Sequence, residues 1–151
     1  MNRRIYDIWF SRIDISNKIK KELLKKFNSY EIWNMNEKKL KEIYLEEQNI
    51  NKILNKKYKL DLDKYFYYMI ENKIDIISYI SDEYPKKLKK IYNYPCFIYV
   101  RGNKKLLYED SISIVGSRNA TKYGKSIARK FAKEIADKNI NIISGLAIRN
   151  R

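Results

Sequence analysis

The chain has 151 residues with 33 Lys and Arg against 18 Asp and Glu, a formal net charge of +15, and it contains one Cys and no His. Without His there is no Ser-His-Asp or Cys-His catalytic site and no imidazole metal ligand, and a single Cys excludes an intrachain disulfide and a thiolate zinc site. No uncharged stretch exceeds ten residues and no signal-peptide pattern follows the N-terminus, so we expect a cytoplasmic protein without a membrane span.

The positive charge is concentrated in the C-terminal part of the chain. Residues 1–83 carry 17 basic and 14 acidic side chains, whereas residues 84–151 carry 16 basic and 4 acidic ones. An A/T-rich genome would favour Lys codons everywhere, but this codon bias does not explain the missing acids. The asymmetry favours a polyanionic partner for the C-terminal part.

Residues 1–75 are predicted to form a small helical domain of five or six short helices. Apolar residues at helical spacing predict a first helix over residues 4–13, and Ser16, Ser29 and Asn36 are the predicted N-caps of the next three. Further helices are predicted over residues 47–56 and from Asp61. The inward positions of the first helix are Ile5, Ile8, Trp9 and Ile13.

The sequence pattern changes after residue 73, where predicted strands replace predicted helices. Residues 74–80 alternate and are rich in Ile, which predicts a strand. Pro85 is predicted to open a short helix, and residues 96–100 form a second predicted strand. Cys96, at its start, is predicted to be a packed apolar residue and not a reactive thiol.

Residues 111–143 have the pattern of a βαβ unit. An apolar strand over residues 111–115 runs into a Gly-containing loop, Thr121 is a predicted N-cap for a long helix, and residues 140–143 form the next strand. A crossover of this kind gives parallel strands and is right-handed.

The two glycine-containing loops of this unit are the predicted binding site. Ligands of parallel α/β sheets bind at the carboxyl ends of strands, where Gly116 and Gly145 follow the two strands. Gly116 permits close backbone approach, the helix N-terminus attracts anions, and Arg118 provides a guanidinium for a phosphate. Lys122 lies in the first helical turn, where a bound anion would compensate its repulsion from the helix dipole. A tight turn with a solvated Arg118 is the alternative that the spacing leaves open, and neither the dinucleotide fingerprint nor the Walker sequence is present.

Four sequence motifs resemble the DNA-processing protein A (DprA, also called Smf) family. The central motif is the run Gly116-Ser117-Arg118-Asn119-Ala120-Thr121-Lys122-Tyr123-Gly124, which is followed by Ser144-Gly145-Leu146-Ala147. Upstream, the resemblance includes Tyr84-Pro85-Lys86-Lys87-Leu88 and Tyr99-Val100-Arg101-Gly102-Asn103. It is firm over residues 84–147 and looser before them.

The resemblance implies a SAM-like helical domain over residues 1–75, followed by the N-terminal part of a Rossmann-like DNA-binding domain over residues 76–151. It also implies sequence-independent binding of single-stranded DNA and help in loading RecA recombinase during natural transformation, without enzymatic activity or a cofactor. The expected DNA- or phosphate-binding residues are Gly116, Ser117, Arg118, Thr121, Lys122, Gly124, Ser144 and Gly145.

The sequence departs from the family pattern at Ile148. The family continues with Arg-Gly-Ile-Asp, whereas here the chain stops at Arg151. We therefore expect a truncated Rossmann-like sheet without the usual homodimer surface, and a frameshifted or fragmentary product without function is one hypothesis. A Rossmann-like pocket for a small phosphorylated ligand such as a nucleotide is the alternative function.

Overall fold

The computed structural model describes residues 4–117 and 119–145. The chain divides into two compact units, Met1–Gly102 and Asn103–Arg151. Each unit has its own sheet, because β1 pairs only with β2 and β3 only with β4 among the described strands.

Six short helices make up most of the first unit. Polar side chains open four of them: Ser16, Asn28, Asn36 and Asp61 each accept a hydrogen bond from the backbone N–H three residues later, as N-caps do. The helices are α1 (Arg4–Ser11), α2 (Asn17–Lys26), α3 (Ser29–Asn34), α4 (Glu37–Glu42), α5 (Glu47–Lys59) and α6 (Leu62–Glu71).

The core of the first unit is built around α1. Trp9 and Phe10 are completely buried, and the Trp9 ring meets the Trp33 ring of α3 edge to face with centroids 5.0 Å apart. Helix α1 packs against α3, α5 and α6. The four inward positions predicted for the first helix are confirmed, since Ile5, Ile8, Trp9 and Ile13 are all buried.

An antiparallel pair of strands completes the first unit. β1 (Ile74–Ser78) pairs with β2 (Phe97–Arg101) in the register Ile74 to Arg101 and Ser78 to Phe97. The pair ends at Gly102, whose φ of 101° lies in the region that glycine adopts readily. Cys96, just before β2, is buried as predicted.

The second unit contains the predicted βαβ arrangement. β3 (Ser111–Ser113) is followed by α7 (Lys122–Ala136) and by β4 (Asn141–Ile143), and β3 and β4 are parallel. Asn139 ends the helical segment with a φ of 58°, and the Ile140 N–H donates to the Ile135 carbonyl at 3.4 Å, a hydrogen bond typical of a helix terminus with a left-handed residue.

The predicted fold class, a helical N-terminal part followed by a partial parallel α/β sheet, is confirmed. Two local predictions were wrong. Asn28, not Ser29, caps α3, because the Ser29 hydroxyl is buried and donates to Asp7 Oδ1 at 2.6 Å. The short helix near Pro85 is a 3₁₀ helix over Leu88–Lys90, and the residues between Pro85 and Leu88 form turns with the same hydrogen-bond spacing. The boundary between domains at residues 75 and 76 stays a prediction.

Candidate phosphate-binding site

The carboxyl ends of β3 and β4 lie side by side because the strands are parallel and in register, with Ser113 opposite Ile143. The ladder continues one step further, since the Ile114 N–H donates to the Ile143 carbonyl at 3.0 Å. The segments that follow, at Gly116 and at Ser144, therefore leave the sheet at the same edge. Ligands bind at this edge in parallel α/β proteins.

The N-terminus of α7 follows the first of these segments. The Thr121 hydroxyl accepts a hydrogen bond from the Gly124 N–H at 3.0 Å, and the first intrahelical bond runs from the Lys125 N–H to the Thr121 carbonyl, also at 3.0 Å. This cap satisfies one of the first amides and leaves those of Lys122 and Tyr123 outside the intrahelical ladder. These two amides, at the positive end of the helix dipole, are suited to binding an anion.

The charge at this helix N-terminus is entirely positive. The first turn of α7 contains no acidic residue, Lys122 is exposed and Lys125 is half-buried. Helices favour acidic side chains at this end, so two lysines here raise the free energy of the folded helix. A bound phosphate group would reverse that penalty.

The fold does not require glycine at Gly116 or at Gly145. Neither has a φ in the left-handed region, and a Cβ atom at either position would meet no heavy atom within 4 Å. Both positions are exposed. Their backbone is consequently open to close approach by a ligand, which a side chain would obstruct.

Gly124 has a different role from the other two glycines. A Cβ atom there would approach the Thr121 Oγ1 atom to 3.3 Å, which would crowd the N-cap. Thr121 and Gly124, both predicted as binding residues, thus form the N-cap interaction of α7. Their contact with a ligand stays a prediction.

The loop between β3 and α7 contains one further ordered turn. The Ser117 hydroxyl accepts a hydrogen bond from the Asn119 N–H at 3.1 Å, as serine does in turns. Arg118, the predicted phosphate ligand, lies outside the described residues. The structure therefore brings the segment that contains Gly116 and Ser117 and the segment that contains Ser144 and Gly145 to one sheet edge, and the basic start of α7 follows the first of them along the chain.

Three structural observations concern other kinds of site. Two shallow grooves lie on the helical unit between residues 27 and 43, and neither contains a predicted site residue. Within residues 4–117 and 119–145, no group of three or more His, Cys, Asp or Glu side chains is placed to hold a metal ion. No helix in the described part of the chain is long and apolar enough to cross a membrane.

Comparison with known proteins supports the resemblance that the loop motifs carry. The family model for DNA recombination-mediator protein A matches residues 75–148, which include both glycine-containing loops. The chain belongs to this family. The match starts at the second residue of β1 and includes β2, β3 and β4.

Curated relatives carry names from the same family. The DNA processing protein DprA of Bacillus subtilis is 42% identical over 78 residues, which are 51% of this chain and 26% of that protein. Protein Smf of Borreliella burgdorferi is 33% identical over 134 residues, which are 85% of this chain and 41% of that protein. The chain thus spans about a quarter to two fifths of the length of these relatives. No solved structure matches it.

One group of basic residues within the family match was not singled out by the sequence analysis. Four of the five residues from Lys86 to Lys90 are lysines, and all four are exposed in the first unit. Their density is visible in the sequence, but neither the predicted short helix after Pro85 nor the family motif assigns these lysines a ligand.

Proposed function

We propose that this DNA-processing family member binds single-stranded DNA through the loop from β3 to α7 and the adjacent end of β4. Backbone amides of Gly116 and Ser117 and the start of α7 would hold a backbone phosphate, with the Arg118 guanidinium as a bidentate partner. The observation that carries the proposal is the pair of exposed glycines after the parallel strands β3 and β4, which the fold itself does not require, together with a start of α7 that has no acidic residue.

The charge of the second unit favours a polymeric anion. Residues 103–117 and 119–145 contain eight basic and four acidic side chains, and a positive surface gains affinity for nucleic acid by releasing counterions. Contacts to phosphates carry no sequence information, so the binding would be independent of sequence.

The family resemblance is the basis for proposing a cellular role. We propose that the chain acts in the cytoplasm without catalysing a reaction, and that the bound strand is passed to RecA recombinase during natural transformation. The Ser-Gly-Leu-Ala segment after β4 and the Gly-Ser-Arg segment after β3 are the residues that support this extension.

The decisive variants change Arg118 and a matched arginine. Arg118→Ala is expected to weaken binding of a fluorescein-labelled oligo-dT by at least about tenfold, since hydrogen bonds between charged partners are worth roughly 1.5–3 kcal/mol. Arg118→Lys should recover only part of the loss, because an ammonium cannot bind bidentately. Fluorescence anisotropy at fixed salt measures both.

Arg129→Ala is the control, because Arg129 is exposed on α7, two turns from the N-terminus of that helix, and the substitution removes the same charge. Equal losses in Arg118→Ala and Arg129→Ala would contradict a specific site. If free nucleotides raise the melting temperature of the protein and oligo-dT does not, the result would favour a small phosphorylated ligand instead of single-stranded DNA.

A further inference from the structure

A second basic surface lies in the first unit, on the connection between β1 and β2. Lys86, Lys87, Lys89 and Lys90 are exposed there, and no acidic residue occurs in the sequence from Tyr84 to Tyr108. We call residues 86–92 the lysine turn.

The backbone of the lysine turn arranges its side chains in rows. Successive hydrogen bonds span three residues, from the N–H groups of Leu88, Lys89, Lys90 and Ile91 to the carbonyls of residues 85, 86, 87 and 88, at 3.0–3.3 Å. In such 3₁₀ geometry residues i and i+3 lie above one another. Lys86 therefore aligns with Lys89, and Lys87 with Lys90, so that the four side chains form two neighbouring rows.

Aromatic residues fix both ends of the lysine turn. Tyr84 is buried, and its hydroxyl donates to the Pro95 carbonyl at 2.7 Å. The Tyr94 ring lies 6.2 Å from the Tyr84 ring, and the Lys21 ammonium lies 3.2 Å from the Tyr94 ring centroid. The backbone that carries the lysines is thus fixed at both ends, which lowers the conformational entropy lost when the lysines bind a partner.

A fully exposed aromatic ring follows the lysines. Among the described residues Tyr92 is completely exposed, and its neighbour Ile91 is 54% exposed. Lysines beside an open aromatic ring are the combination by which proteins hold single-stranded nucleic acid, with phosphates on the cations and a base on the ring.

We infer that the lysine turn is a second contact surface for single-stranded nucleic acid, in which the lysines meet backbone phosphates and Tyr92 stacks on a base. This inference rests on the proposed function for its ligand, but it uses different residues in the other unit. An anionic membrane surface would also attract lysines, so the test includes it.

Tyr92 can be tested against a matched tyrosine. Tyr58, on α5, is also exposed and also stands among lysines. Tyr92→Ala is expected to weaken oligo-dT binding at least about fivefold, in line with the loss of one stacked base, whereas Tyr92→Phe and Tyr58→Ala should stay within about twofold of the unchanged protein. Equal effects of Tyr92→Ala and Tyr58→Ala would overturn the inference.

The lysines are tested by the salt dependence of affinity. Each phosphate contact on a single strand contributes about 0.7 to the slope of log affinity against log salt. Lys89→Gln with Lys90→Gln should therefore lower the slope by about 1.4, and the control pair Lys56→Gln with Lys59→Gln on α5 should not. Equal slopes in the two pairs would contradict phosphate contacts at the lysine turn.

A location measurement completes the test. Oligonucleotides with 5-bromodeoxyuridine should crosslink under ultraviolet light to the tryptic peptide of residues 91–101, and Tyr92→Ala should abolish that product.

The two proposed sites are distinguished by comparing their variants. Loss of binding in Tyr92→Ala but not in Arg118→Ala would support the lysine turn and reject the site at the loop from β3 to α7. Loss of binding in Arg118→Ala but not in Tyr92→Ala would reject only the lysine turn. Binding to anionic vesicles that oligo-dT does not displace, or no oligonucleotide binding by the unchanged protein, would overturn it.

Discussion

Lys20 of α2 and Cys96, just before β2, are two buried residues whose side chains contact backbone carbonyls. The Lys20 ammonium donates to the Ser11 carbonyl at 2.8 Å, and the Cys96 thiol lies 3.2 Å from the Asn17 carbonyl. Burial disfavours the charged form of each group and so lowers the pKa of Lys20 and raises the pKa of Cys96 from 9.0 to about 11. Cys96 thus stays a neutral thiol that packs like an apolar residue.

This pKa predicts an unreactive cysteine. Iodoacetamide alkylation, followed by mass spectrometry as a function of pH, should have its midpoint near pH 11 in the native protein and near pH 9 in urea, because only the thiolate reacts. Between these values the native state holds the proton that the unfolded state has lost, so the contribution of Cys96 to the free energy of unfolding falls as pH rises. A native midpoint at or below pH 9 would contradict a buried thiol.

Helix starts show how far local sequence determines an element. Ser16, Asn36 and Thr121 could be predicted as N-caps because each stands directly before an amphipathic run. Ser29 could not be distinguished from Asn28, since the choice depends on Asp7, 22 residues away, which accepts the Ser29 hydroxyl. Asn28 then forms a capping box with Glu31. Contacts that are distant in sequence decide such cases.

The cap of α7 can be tested on its own. Thr121→Ala removes the hydroxyl that accepts the Gly124 N–H and should lower the free energy of unfolding by about 1 kcal/mol. Thr121→Ser keeps the oxygen and should restore most of that loss. Urea unfolding followed by circular dichroism compares the two, and equal stability of Thr121→Ala and the unchanged protein would contradict the capping geometry.

At the scale of the whole molecule, the two units differ in how much they bury. Every buried apolar residue among the described ones lies in Met1–Gly102, whereas residues 103–117 and 119–145 are all half-buried or exposed. The apolar pattern predicts a strand over residues 111–115, whereas β3 ends at Ser113 and Val115 is 85% exposed. An apolar pattern identifies residues that form a strand but does not determine which other elements pack over that strand. The parallel pairing of β3 with β4 was therefore predictable from the sequence, and the burial of their side chains was not.

This contrast predicts uneven protection from hydrogen exchange. Amides of α1 and β1, packed in the buried core, should exchange slowest, and those of β3, β4 and α7 should exchange faster, because opening costs least where little apolar surface is buried. Exchange of the intact chain followed by mass spectrometry of peptides measures both units at once. Equal protection of α1 and α7 would contradict the difference in burial.

Gly116→Ala tests most directly whether the open glycine backbone after β3 receives a nucleic-acid phosphate. The added Cβ meets nothing within 4 Å, so thermal stability should be unchanged or slightly higher. Affinity for oligo-dT, measured by fluorescence anisotropy over a series of salt concentrations, should fall at least about fivefold and the salt slope should decrease, because the methyl group keeps a phosphate from the backbone amides. A variant that keeps both the stability and the affinity of the unchanged protein would contradict the account.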